Sequence, residues 1–186
     1  MMSLLAFFAA PAGRCQHPPH RGFTLVELLV TLVVAGLLVA VAVPSFNRLM
    51  VSSRLTSFAN ELVSRLTLAR SEAVKRGYAV QFNTNGAITA QPPQPANAPP
   101  ITITQALTPP SGISSTPAID SLIATPLGLL HEPTATTGYA GLVADISSNA
   151  ITGDNHRCIY LFTGTTVMSC TDSQACRANT PNGTCQ

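Results

Sequence analysis

A single carboxylate stands in the most apolar part of this chain. From Phe23 to Val43 run 21 residues, FTLVELLVTLVVAGLLVAVAV, and Glu27 is the one charge among them. An ionised carboxylate deep in hydrocarbon costs about 2.5–3.5 kcal/mol on insertion scales, and such groups normally have partners. No Lys or Arg lies between Phe23 and Pro44. Hydrolysis after Gly22 would place a new α-amino group on Phe23, a positive charge close to Glu27 in the same chain or in a neighbouring copy. The alternative is an unpaired Glu near the interface that snorkels or takes up a proton.

The second group with chemistry is at the other end. Cys158, Cys170, Cys176 and Cys185 fall in the last 29 residues, separated by 11, 5 and 8 residues, while Cys15 precedes the apolar run. Zinc sites show paired ligands at short spacing. Here there is no CxxC and His156 has no second histidine close by, so no metal is expected. Disulfides are, and four cysteines can pair in three ways. Disulfides need an oxidising compartment, which puts the C-terminal half outside the cytoplasm.

Catalytic signatures are missing. There is no GxSxG, P-loop, HExxH or glycine-rich dinucleotide fingerprint. His131-Glu132-Pro133 lacks the second histidine of a zincin, and Pro133 would break the helix that motif needs. Asp120, Glu132, Asp145, Asp154 and Asp172 are scattered over expected loops. No enzyme activity, catalytic residue or cofactor is expected. Asn182-Gly183-Thr184 matches a glycosylation sequon too short to carry information.

Composition agrees with a membrane or secreted context. Only 10% of the 186 residues are charged and 46% are hydrophobic, with no Trp, against about 25% charged in typical soluble domains. Arg14 and Arg21 precede the apolar run and leave eight basic and eight acidic side chains after it. A neutral body offers no global attraction to nucleic acid.

The elements that must position these groups follow from periodicity. Residues 23–43 as a helix span about 31 Å, enough for a bilayer core. Arg14, His17, His20 and Arg21 before them stay on the cytoplasmic side. Leu4 to Ala12 is weakly apolar but too short to span. Pro44 is expected to kink or locally open the helix. Beyond it Leu55, Phe58, Ala59, Leu62, Leu66, Ala69 and Ala73 recur every three or four residues, the mark of a helix with one buried face. Gly77, after Lys75 and Arg76, suits the helix end.

The remainder reads as strands. Tyr78–Phe82 and Ala87–Ala90 flank Asn83-Thr84-Asn85-Gly86, a hairpin signal. QPPQPANAPP (91–100) is an exposed loop, and Ile101–Leu107 is the next strand. Residues 108–137 are too proline-interrupted to assign. Further short strands are expected at Tyr139–Asp145, Ala150–Thr152, Cys158–Thr163 and Thr165–Cys170. The last two form a hairpin that brings Cys158 near Cys170, which favours a Cys158–Cys170 bridge and a Cys176–Cys185 bridge closing the tail.

Arg21-Gly22-Phe23-Thr24-Leu25-Val26-Glu27 before an apolar run resembles the class III leader of type IV prepilins and type II secretion pseudopilins. The stretch Arg54 to Gly77, with LARSEA at Leu68–Ala73, resembles the GspH/FimT group of minor pilins and pseudopilins. The resemblance implies an α+β pilin-like fold, a long N-terminal helix with a transmembrane half and an amphipathic half, packed on a C-terminal antiparallel β-sheet. The implied organisation is a cleaved leader (1–22), a membrane or filament-core half (23–43), an amphipathic half (44–77), a sheet domain (78–170) and a disulfide-closed tail (171–186).

It implies cleavage between Gly22 and Phe23 by a prepilin peptidase, N-methylation of Phe23, and subunit docking guided by Glu27. The partners implied are the peptidase, other pilin or pseudopilin subunits and the bacterial inner membrane, with the C-terminal domain periplasmic. The function implied is a structural subunit of a type IV pilus or a type II secretion pseudopilus. An alternative is a pilus-tip module for DNA uptake or surface adhesion, and another is a membrane-anchored protein that never polymerises. Some FimT-like pilins contact DNA through Gly-Arg-x-Arg in the closing turn. This chain has Gly164-Thr165-Thr166-Val167 there, so DNA is not an expected partner, with Arg157 and Arg177 the only nearby basic residues.

Overall fold

The computed structural model describes residues 22–95, 98–178 and 184–185, in two units that meet between Val41 and Ala42. Residues 1–21 with Cys15, and Asn182 and Gly183 of the sequon, lie outside the described residues. One helix, α1 (Leu25–Arg76), contributes to both units. In the first unit it is bare: Gly22 to Val41 are all exposed. Thr31, a hydroxyl in the apolar run, donates to the Leu28 carbonyl at 2.8 Å, so it adds no unsatisfied group to that surface.

α1 continues through Pro44. The ring removes one N–H from the helical ladder, yet helix is assigned on both sides without a break. In the second unit the face expected from periodicity is the buried one: Leu55, Phe58, Ala59, Leu62, Leu66, Ala69 and Ala73. Gly77 ends the helix with φ 73°, and its N–H donates to the Ala73 carbonyl at 3.0 Å. That left-handed position favours glycine because a Cβ would be strained there. In the last turn Glu72 accepts from Arg76 at 2.8 Å and pairs with Lys75 at 3.6 Å. The Arg76 hydrogen bond holds the Glu72 carboxyl below its ordinary value.

Two antiparallel sheets pack on this face where the sequence led us to expect one. The first contains β1 (Val80–Asn83), β2 (Ile88–Ala90), β3 (Ile101–Thr104), β5 (Ser121–Ala124) and β6 (Leu130–His131), in the order β3-β2-β1-β5-β6. The second contains β4 (Ser114–Pro117), β7 (Gly141–Ser147), β8 (His156–Phe162), β9 (Thr166–Asp172) and β10 (Thr184–Cys185), in the order β10-β9-β8-β7-β4. One core joins Leu62 and Leu66 of the helix to Phe82, Ile88 and Leu122 of the first sheet and Ile146, Ile159 and Leu161 of the second.

The expected hairpin is β1–β2, closed by a Gly86 N–H to Asn83 carbonyl bond of 2.8 Å with Gly86 at φ 86°. The strand expected to reach Leu107 stops at Thr104, because the Leu107 N–H turns to the Asn85 carbonyl at 2.7 Å instead of continuing the ladder. The segment 108–137 yields β4, β5 and β6: β4 pairs with β7 and β5 with β1, both distant in sequence, and β6 folds back on β5. Pro117 sits on the edge strand, where a missing N–H is tolerated.

The strand expected at Ala150–Thr152 is a correction. These residues form a turn between β7 and β8 that ends in Gly153 and Asp154 at φ 76° and 48°. Ile151 is apolar because it plugs the core from that turn.

Arginines of α1 tie the layers together. Arg70 donates to the Gly128 carbonyl at 2.9 Å, beside β6, and to the Thr165 carbonyl at 2.6 Å, in the β8–β9 turn. It therefore fastens both sheets to the helix. Arg65 donates to the carbonyls of Gly86 and Gln105 and to Glu61. This gives the LARSEA segment a physical reading: Ala69 and Ala73 let the sheets approach, Arg70 staples them and Glu72 closes the last turn. Arg70→Ala should cost about 2 kcal/mol, from hydrogen bonds made by a charged donor. Urea unfolding of the full chain would measure it.

The tail corrects the cysteine pairing. The bridges are Cys158–Cys176 and Cys170–Cys185, not Cys158–Cys170 and Cys176–Cys185. Cys158 and Cys170 do face one another across β8 and β9. Both lie with Tyr160 and Leu142 on the sheet face turned away from the helix. The tail crosses that face, so each sheet cysteine meets a tail cysteine. Tyr160 donates to the Arg177 carbonyl at 2.7 Å, Leu142 N–H to the Ala178 carbonyl at 2.9 Å, and Cys176 N–H to Asp145 at 3.1 Å. Burial pushes the Tyr160 phenol above its ordinary value, so it stays a donor well into the alkaline range.

Candidate functional site

The residues singled out for chemistry at the N-terminal end are brought together by helix initiation. Thr24 precedes α1, its Oγ1 accepts from the Glu27 N–H at 3.2 Å, and its carbonyl accepts from the Leu28 N–H at 3.1 Å. Thr24 is therefore the N-cap and Glu27 occupies the third helical position, the T-x-x-E arrangement of a capping box. A carboxylate there also lies favourably at the positive end of the helix dipole. The capping role of Thr24 is the functional detail that sequence reasoning missed. Its signal, Thr followed three residues later by Glu ahead of an apolar run, is plain in the sequence.

The Gly22–Phe23 peptide bond lies just outside the helix. Phe23 is 76% exposed, and nothing lies within 4 Å of where a Cβ on Gly22 would be. The bond is thus reachable, and Gly22 to Thr24 precede the first helical turn. Among the described residues no ion pair involves Glu27. The apolar helix that follows has a mean hydropathy of 2.7 over its best 18-residue window and buries none of it. It can cross a membrane by length and composition, and it can equally pack against other helices of its own kind.

Elsewhere, Asp145, His156 and Cys176 lie close enough to hold a metal ion. Their bonds are already committed. His156 Nδ1 sits 2.8 Å from Asp145, whose other oxygen accepts from the Cys176 N–H, and Cys176 Sγ is bridged to Cys158. A bridged sulfur is not a thiolate ligand. The residues fit a tail anchor rather than a metal centre. His131 lies on β6 with its Nδ1 2.6 Å from the Glu132 carbonyl oxygen.

The closing turn of β8–β9 is shaped by packing. A Cβ on Gly164, at φ 70°, would lie 2.6 Å from the Leu130 carbonyl oxygen and 2.7 Å from Gly138. Thr165 and Thr166 complete the exposed side of the turn without a basic residue.

Comparison with known families matches residues 18–43 to the prokaryotic N-terminal methylation motif. Residues 59–161, more than half of the chain, match the type II transport protein GspH. The first match covers the Gly22–Phe23 junction, the cap and the bare helix. The second covers the buried helix face from Ala59 onward and the strands through most of β8. No curated protein and no solved structure matches the chain.

Proposed function

This chain belongs to the GspH family of type II transport proteins, and from that premise we propose how its N-terminal segment is used. It is a pilin or pseudopilin, a structural rather than enzymatic family. In our reading it is a minor subunit inserted in the bacterial inner membrane by residues 23–43, with its sheet domain in the periplasm. A prepilin peptidase cuts between Gly22 and Phe23, the new Phe23 amine is methylated, and the subunit enters a type IV pilus or type II secretion pseudopilus beside other pilin subunits.

The observation that carries this reading is a wholly exposed apolar helix starting directly after a reachable Gly22–Phe23 bond. Such a surface must be covered by lipid or by like helices. Lipid covers it before assembly and neighbouring helices cover it afterwards. The Phe23 amine freed by cleavage supplies the positive partner that Glu27 lacks within the apolar run. In hydrocarbon that pairing favours docking of one subunit on another in a fixed register.

Intact mass and N-terminal sequencing of the membrane-extracted protein, with and without the peptidase, test the reading. A chain beginning at methylated Phe23 supports it. A chain retaining Arg21 and Gly22 in the presence of active peptidase leaves a simple membrane anchor and removes it. Glu27→Ala should leave cleavage intact and reduce incorporation into sheared filaments or pseudopili by tenfold or more. A tenfold loss corresponds to about 1.4 kcal/mol of docking free energy given up with the Glu27–amine pair.

A further inference from the structure

Arg157 on β8 points toward the helix and is only 7% exposed. Its acceptors are all neutral. Nε donates to Thr56 Oγ1 at 3.3 Å, Nη1 to the carbonyls of Asp154 and His156 at 2.7 and 3.0 Å, and Nη2 to Ser52 Oγ at 3.2 Å. A guanidinium has five N–H donors, so one on Nη2 has no protein acceptor among the described residues. No carboxylate of the described residues lies within ion-pair distance, although the field of Asp154 reaches it. A buried cation without a counter-charge is costly unless an anion completes it.

Arg157 also lines an open groove of about 400 Å³ between α1 and β9. The strand side of that groove is anomalous. Ser169 and Thr171 pair in register with Ile159 and Arg157, so they face the helix, where a core strand would carry apolar side chains. Neither hydroxyl has a protein partner among the described residues, and the Asn60 amide lies on the helix side. Hydroxyl and amide donors thus line the same groove as the one guanidinium.

We propose that this groove is a binding site for a single carboxylate group, bound by Arg157 and by the donors of Ser169, Thr171 and Asn60. A monoanion matches one guanidinium, whereas a phosphate dianion would leave a second charge uncompensated. The carboxylate comes from a small free acid or from an Asp or Glu of a neighbouring subunit. The inference stands apart from the assembly reading, because the groove lies wholly within the second unit and uses no residue of the exposed helix half.

The test uses the full chain in detergent micelles with 15N-arginine labelling. Sodium acetate, titrated against sodium chloride at fixed ionic strength, should shift the Arg157 Nε–Hε resonance saturably. Ser169→Val with Thr171→Val keeps Arg157 and its protein bonds, and should weaken that response at least tenfold while the other arginine resonances stay in place. A response that never saturates, one that is unchanged in the double variant, or one that phosphate saturates and acetate does not, overturns the proposal. A photo-crosslinker replacing Asn60 in cells separates the sources. A crosslink mapped beside an Asp or Glu of another pilin subunit assigns the carboxylate to that subunit. A crosslink-free chain that still binds acetate assigns it to a free acid.

Discussion

Gly22→Val should leave the chain uncut. In cells with an active prepilin peptidase the uncut species should accumulate, whereas the native chain is expected to lose the residues up to Gly22. The expected fall in processing rate is tenfold or more, equivalent to a barrier raised by about 1.4 kcal/mol or more. The attribution is clean because the folded chain is indifferent to this side chain. A Cβ at Gly22 meets nothing within 4 Å, and Gly22 precedes the cap at Thr24. An effect on cleavage therefore arises in the peptidase's grip on the bond and not in folding. Whole-protein mass spectrometry reads it directly. Processing at the native rate in this variant would show that the junction is not read at Gly22.

Removing either disulfide should destabilise the second unit by about 3 kcal/mol, the figure for loops near 15 residues. The loops here have sequence separations of 18 for Cys158–Cys176 and 15 for Cys170–Cys185. Paired alanine variants avoid stray thiols, and urea unfolding gives the difference. Loss of Cys158–Cys176 should have a second effect. Without it the tail is held over Tyr160 and Leu142 by hydrogen bonds and the remaining bridge, so trypsin should cut after the exposed Arg177 much faster than in the native chain. Peptide mapping that linked Cys158 to Cys170 would reverse both expectations, since the tail would then be free of the sheet.

The helix was legible because its signals are local. A period of three to four residues placed Leu55 through Ala73 on one face, and that face is the buried one. Glycine with a positive φ and two basic residues marked its end. The β1–β2 hairpin was legible for the same reason, since Asn-Gly chemistry lies within the turn itself. The family was carried by equally local strings, RGFTLVE and LARSEA.

What failed was set by partners far away in the chain. β4 and β5 have no readable alternation, because each is short and gains its definition from a strand on another part of the fold, and the two-residue β6 exists only against β5. Ile151 imitated a strand because a turn residue can fill a core as well as a strand residue can. The cysteines were misread for a related reason. Being opposite on a hairpin brings Cys158 and Cys170 together, but it also turns both side chains to one face, and only the path of the tail decides which sulfurs meet.

The same limit hid the Arg157 groove. Arg157 looked like one of two basic residues near the closing turn, yet its burial against Ser52 and Thr56 depends on how β8 lies on the helix. By itself, then, the sequence determined the helix, its two surfaces and its end at Gly77, because backbone geometry and hydrophobic period act over a few residues. The tertiary structure alone decided the two-sheet arrangement, the bridges and the charge left within the groove, because those depend on which distant segments share a face.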